Sequence, residues 1–75
     1  MNEQELIKII SEVIEVDAGE LSLETEMGDF EKWDSIGHMS IILAIESQTN
    51  IRFNEFEFEE MTSIESMLEL INLKL

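Results

Sequence analysis

Apolar residues recur at helical spacing in three stretches of the chain. In the first, Leu6, Ile9, Ile10, Val13 and Ile14 share a stripe, and Glu5, Lys8, Glu12 and Glu15 fall elsewhere. Asn2 followed by Glu5 has capping-box spacing. Gly19 is the expected stop, because glycine accepts the left-handed conformation that ends helices. The second stretch runs from Ser35 to Thr49, with Asp34 as its N-cap and an expected apolar side of Ile36, Met39, Ile42, Leu43 and Ile45. In the third, Ile64, Met67, Leu68 and Ile71 fall at i, i+3, i+4 and i+7, after Thr62 and Glu65 at cap spacing.

Two connections separate these stretches. Asp17 to Asp34 is polar, with two glycines and scattered apolar residues (Leu21, Leu23, Met27, Phe30), and has room for one helical turn near Ser22. A connection that long is usually functional or packed down by its own side chains. Asn54 to Glu60 alternates Phe and Glu, which alone fits a strand. A lone strand would leave its backbone unpaired, and Asn54 with Glu57 again has cap spacing. A short helix is therefore predicted, with Phe56 or Phe58 turned inward. The sum is an all-α, small four-helix bundle: three main helices, one short helix, and a long loop between helices 1 and 2, in one domain over residues 1–75. Its core is expected to draw on Leu6, Ile10, Val13, Phe30, Ile36, Leu43, Ile64, Leu68 and Ile71.

Composition narrows the function classes. Hydrophobic residues make up 44% of the chain and are periodic, which argues against disorder. Without cysteine, neither a disulfide nor a thiolate metal site is available. No secretory signal and no apolar run long enough for a membrane are visible, so a cytoplasmic location is expected. Eighteen acidic residues face four Lys and Arg, giving a formal net charge of −14. That balance opposes binding to nucleic acid or anionic lipid and favours partners with basic surfaces. No dedicated metal site is expected: counted from Asp17, Ser22 stands at the sixth position, where an EF-hand needs glycine.

Chemistry concentrates in Trp33-Asp34-Ser35-Ile36-Gly37-His38-Met39. A hydrolase triad is excluded on geometry, because Asp34 and Ser35 are consecutive and cannot both converge on His38. The hydrolase elbow also fails, since Trp33 occupies the place of its first glycine. No catalytic residue is assigned, and His38 is expected to face solvent on a docking surface. Ser35, first on a helix behind an acidic cap, is ordered yet exposed: either a plain helix-start residue or a point of attachment.

Asp34-Ser35-Ile36 resembles the Asp-Ser-Leu attachment motif of acyl carrier proteins and related phosphopantetheine carrier domains. The segment running to Ile45-Glu46, Met61-Thr62-Ser63-Ile64, the size, the acidity, the long first loop and the short penultimate helix are similar as well. The resemblance implies that Ser35 carries 4′-phosphopantetheine, delivered from coenzyme A by a phosphopantetheinyl transferase, with Asp34 and Ile36 as motif neighbours. It implies a carrier that is not itself an enzyme, is monomeric, and holds acyl groups as thioesters for synthase and transferase enzymes with basic docking faces. Aminoacyl or peptidyl cargo is the alternative within the class, and a non-carrying acidic interaction module the alternative outside it.

The chain departs from the family in three respects, of which the first is a tolerable apolar swap and the last, the placing of the acids, points to a specialised carrier. Ile36 replaces leucine, and Phe30-Glu31-Lys32-Trp33 stands where the family often has a Leu-Gly pair. The helix after the serine in fatty-acid carriers is studded with acids, whereas here the first is Glu46. Acid is concentrated instead at Glu24, Glu26, Asp29 and Glu31 and over Glu55 to Glu60. Trp33 is read either as a docking anchor or as loop packing, and Met39, Met61 and Met67 either as an adaptable lining for cargo or as core filler.

Overall fold

Asn2 opens the first helix as its spacing predicts. In the computed structural model, which describes residues 1–75, its side chain accepts from the Glu5 amide while Glu5 accepts from the Asn2 amide. Helix α1 spans Glu3–Ile14 and buries Leu6, Ile9, Ile10 and Ile14. It stops before Gly19, because Glu15 itself takes the left-handed cap conformation (φ 57°). A 3₁₀ turn at Ala18–Glu20 follows, just upstream of the turn expected near Ser22. Helix α2 spans Ser35–Thr49, α3 Glu55–Glu60 and α4 Ile64–Lys74, so the predicted bundle of three main helices and one short one is present. Helix α3 is opened by the Asn54–Glu57 capping box, and of its two phenylalanines Phe58 turns inward while Phe56 faces solvent. The cap of α4 falls one residue later than expected: Ser63 and Ser66, not Thr62 and Glu65, exchange the capping bonds. No helix is long and apolar enough to cross a membrane.

Helix α1 packs on α2 and α4. The core joins Leu6, Ile10 and Ile14 to Ile41 and Ile45 of α2 and to Met61, Ile64, Met67 and Ile71. Each such side chain, fully buried, contributes about 1.5–3 kcal/mol relative to exposure. Met61 and Met67 are thus core filler, while Met39 is exposed. Of the expected core, Leu6, Ile10, Ile64 and Ile71 are fully buried, and Val13, Phe30 and Leu68 are half-buried against it.

Helix α2 corrects the reading in one respect. Its buried stripe is His38, Ile41, Ile42 and Ile45, and Ile36, Met39 and Leu43 are 78%, 55% and 58% exposed. The helix is apolar nearly all round, so periodicity alone cannot choose its inward face. Isoleucines at i+3, i+4 and i+7 from His38 fill the space against α1, which leaves the stripe at 36, 39 and 43 outside.

The long loop is not slack. The Met27 amide donates to the Thr62 carbonyl (2.8 Å), Ile64 to Thr25 (2.9 Å) and Glu65 to Leu23 (3.1 Å). Two amides at the start of α4, orphaned by helix geometry, thereby find acceptors in the loop. Gly28, at φ 99°, turns the chain so that its amide reaches the Trp33 carbonyl (2.9 Å).

Candidate functional site

The loop delivers Asp34 to the mouth of α2 in extended conformation (φ −98°, ψ −164°). Its Oδ1 accepts from the Gly37 amide at 2.8 Å, and its carbonyl accepts from the His38 amide at 2.8 Å. That leaves the amides of Ser35 and Ile36 at the positive end of a fifteen-residue helix with no intrahelical acceptor. Ser35 is exposed, and Ile36 beside it projects into solvent. Asp34 is thus the cap that the sequence predicts and Ser35 stands exposed behind it, whereas Ile36, expected in the core, faces solvent.

Ser35 borders a cleft of about 170 Å³ whose other lining residues are Met27, His38, Phe58, Glu59 and Thr62. The loop supplies one wall, α3 another, and His38 lies between them. Its imidazole is only 2% exposed, so the expectation of a solvent-facing histidine is overturned. Trp33, with no exposed surface, packs into the core and is no docking anchor. Its indole Nε1–H donates to His38 Nδ1 at 3.1 Å, and His38 Nε2 lies 3.2 Å from the Phe58 carbonyl. An indole N–H can only donate and a carbonyl can only accept, so the ring is neutral with its proton on Nε2. Burial pushes the His38 imidazole below its ordinary pKa, and the bond to Phe58 opposes that in part. Both ring nitrogens are therefore engaged away from Ser35, and His38 cannot serve its hydroxyl as a base.

On the other side of Ser35, α2 and the loop touch through backbone. The Lys32 carbonyl lies 2.0 Å from where a Cβ on Gly37 would stand. Lys32 itself pairs with Glu15 at the end of α1, and this contact holds the Glu15 carboxyl below its ordinary pKa. Glu31, Asp34, Ile36 and Ser40 line the same side.

For Trp33 the packing alternative holds, and the residues that sequence reasoning missed are Gly37 and His38 as parts of the scaffold under Ser35. A signal for Gly37 was available: glycine inside a helix costs about 1 kcal/mol against alanine, so its presence asks what comes close. His38 stands at the head of the 38, 41, 42, 45 stripe, which only a decision about the inward face could have revealed.

A family model described as the phosphopantetheine attachment site matches residues 4–71. No curated protein matches the chain.

Proposed function

The chain belongs to the phosphopantetheine attachment family, whose domains hold 4′-phosphopantetheine covalently, and we propose that Ser35 is its point of attachment. The observation that carries this reading is the exposed Ser35 at the capped mouth of α2. The site suits the group chemically. A phosphodiester on Ser35 Oγ would carry its negative charge beside the free amides of Ser35 and Ile36, where the helix dipole favours an anion. With His38 turned away, the base and the donor come from a phosphopantetheinyl transferase, and the chain acts as a carrier without catalysis of its own.

The cargo we assign is an acyl intermediate held as a thioester for a dedicated pathway. The outward face of α2 supports a specialised partner set: Ile36, Met39 and Leu43 form an uncharged apolar stripe beginning one residue after Ser35. The chain's net charge of −14 suits synthase and transferase enzymes that present an apolar recess with basic groups around it.

Incubating the protein with coenzyme A, Mg²⁺ and a transferase of broad specificity, then weighing it intact, tests the assignment. The expected result is a gain of one phosphopantetheine that is absent in Ser35→Ala. A gain that survives in Ser35→Ala, or none with several transferases, would overturn it.

A further inference from the structure

One buried ring joins the start of α2 to both the loop and α3. Trp33 comes from the loop, His38 from the first turns of α2, and the Phe58 carbonyl from the last turn of α3. The indole and imidazole stack at 6.2 Å with 22° between planes, and the Phe58 ring meets His38 edge-on at 4.9 Å. These three elements are the ones that surround Ser35. We propose that Trp33 and His38 are positioning residues that hold the Ser35 segment and α3 in register, and that a proton taken up on His38 Nδ1 releases them. Its consequence for loading rests on the assignment of Ser35 above; the latch itself does not.

The release follows from hydrogen-bond polarity. A proton on Nδ1 would face the Trp33 N–H, two donors with no acceptor between them. The imidazolium would also be buried without a counter-charge. On α3, Glu59 borders the cleft beside His38, while Glu57 is turned to Lys74 of α4 at 2.9 Å. On α2, Asp34 is committed to Gly37, and Glu46, two turns on, to the Phe53 amide. In the loop, Glu31 is exposed and Lys32 is paired with Glu15 of α1. At the start of α4, Thr62 lines the cleft without charge and Glu65 is exposed. None forms an ion pair with the ring.

The unfolded chain binds this proton near pH 6.5, the folded chain only at lower pH, so the unfolded state holds more protons between the two values. The stability that the latch contributes is accordingly complete above pH 6.5 and is lost as pH falls below it, while in the folded chain the latch opens only at the lower pH where the ring takes up its proton.

The chain has one histidine and one tryptophan, so both reporters are unambiguous. Imidazole ¹⁵N spectra of the wild-type protein at pH 7.5 should show one neutral tautomer, protonated on Nε2, and should titrate below the ordinary imidazole value. Trp33→Phe removes the opposing donor and should raise that midpoint. His38→Gln can accept from Trp33 and donate to Phe58 without titrating. Its Trp33 emission should stay flat on acidification from pH 7.5 through the wild-type midpoint, where the wild-type emission shifts to the red. The loading rate of the wild type, divided by that of His38→Gln, should fall several-fold over the same range. A mixture of tautomers, or a wild-type ring titrating at its ordinary value, overturns the latch without any variant. Failure of every form to load, with the spectra as expected, would instead count against Ser35.

Discussion

The Lys32 carbonyl oxygen and Gly37 touch backbone to backbone: a Cβ at position 37 would stand 2.0 Å from that oxygen and 3.1 Å from its carbon. In an open helix, Gly→Ala gains about 1 kcal/mol. Here the obstacle is main chain and cannot swing aside, so overpacking at a typical cost of about 1–3 kcal/mol decides the sign. Gly37→Ala is expected to lower the melting temperature, by roughly 4–8 °C for each kcal/mol in a domain of this size. It should also slow loading at Ser35, whose segment the displaced loop carries. Gly19→Ala is the control, because its nearest neighbour is Asp17 Oδ1 at 3.8 Å. Equal melting temperatures for the wild type and Gly37→Ala would show that the loop yields without cost.

Asp34 offers a separation of cap from charge. Its Oδ1 holds the Gly37 amide, and an asparagine oxygen can do the same. Asp34→Ala should cost about 1 kcal/mol of stability, within the range of roughly 0.5–2 for lost caps. Asp34→Asn should retain most of it. Urea midpoints for the three proteins check this, and an equal loss in both variants would assign the effect to charge at the helix dipole instead.

His38→Leu should leave the buried Trp33 N–H unpaired and take the donor from the part-buried Phe58 carbonyl. A buried unpaired group costs about 1–3 kcal/mol, so the protein should lose more stability than His38→Gln, which keeps both bonds. Thermal melts at pH 7.5 give the comparison. Leucine performing as well as glutamine would mean that the ring only fills space.

Local rules made most of the architecture readable. The capping boxes at Asn2/Glu5 and Asn54/Glu57 set two helix starts before any tertiary contact is considered, and the second of them outweighed a Phe/Glu alternation that reads as strand. The places of Asp34 and Ser35 at the mouth of α2 were legible for the same reason, since a cap and its first helical residue are defined by neighbours in sequence, but the outward turn of Ile36 was not. What was not legible depends on distant partners. The inward face of α2 is chosen by His38, whose partners are a loop indole and an α3 carbonyl. Gly19 did not end α1, because Glu15 accepted the left-handed conformation four residues earlier. Serine at 63 outcompeted Thr62 as a cap while the Thr62 carbonyl was occupied by Met27.

The exposed stripe on α2 predicts a separation of stability from recognition. Leu43 and Ile36 are largely in solvent, and surface substitutions away from special features usually change stability by less than about 0.5 kcal/mol. Leu43→Glu and Ile36→Glu should therefore melt like the wild type yet slow reactions with partner enzymes. Glu31→Lys, beside Ile36, should slow them more than Glu3→Lys on α1. Asp29 is unsuited to this test, because its carboxylate holds the Glu26 amide. Equal rates for all of these proteins would remove the face as a docking surface.

Salt should stabilise the fold. Of the four cationic side chains, Lys32 and Lys74 are already paired, and Arg52 is directed at the carbonyls of Glu46 and Ile51. Most of the eighteen carboxylates are left to repel one another across a body of 27 × 23 × 20 Å. At 0.1 M salt the screening length is about 10 Å, shorter than those dimensions, so repulsion between opposite sides is largely removed. Weakening the ion pairs works in the other direction, but exposed pairs contribute only about 0–1 kcal/mol each. Repulsion therefore dominates, and the melting temperature should rise from 10 mM to 300 mM NaCl, with millimolar Mg²⁺ giving a similar rise at far lower ionic strength. Lys74→Ala should keep that rise while starting from a lower melting temperature, since it frees Glu57 and unties α4 from α3. A melting temperature that falls with salt would mean that the ion pairs outweigh the repulsion.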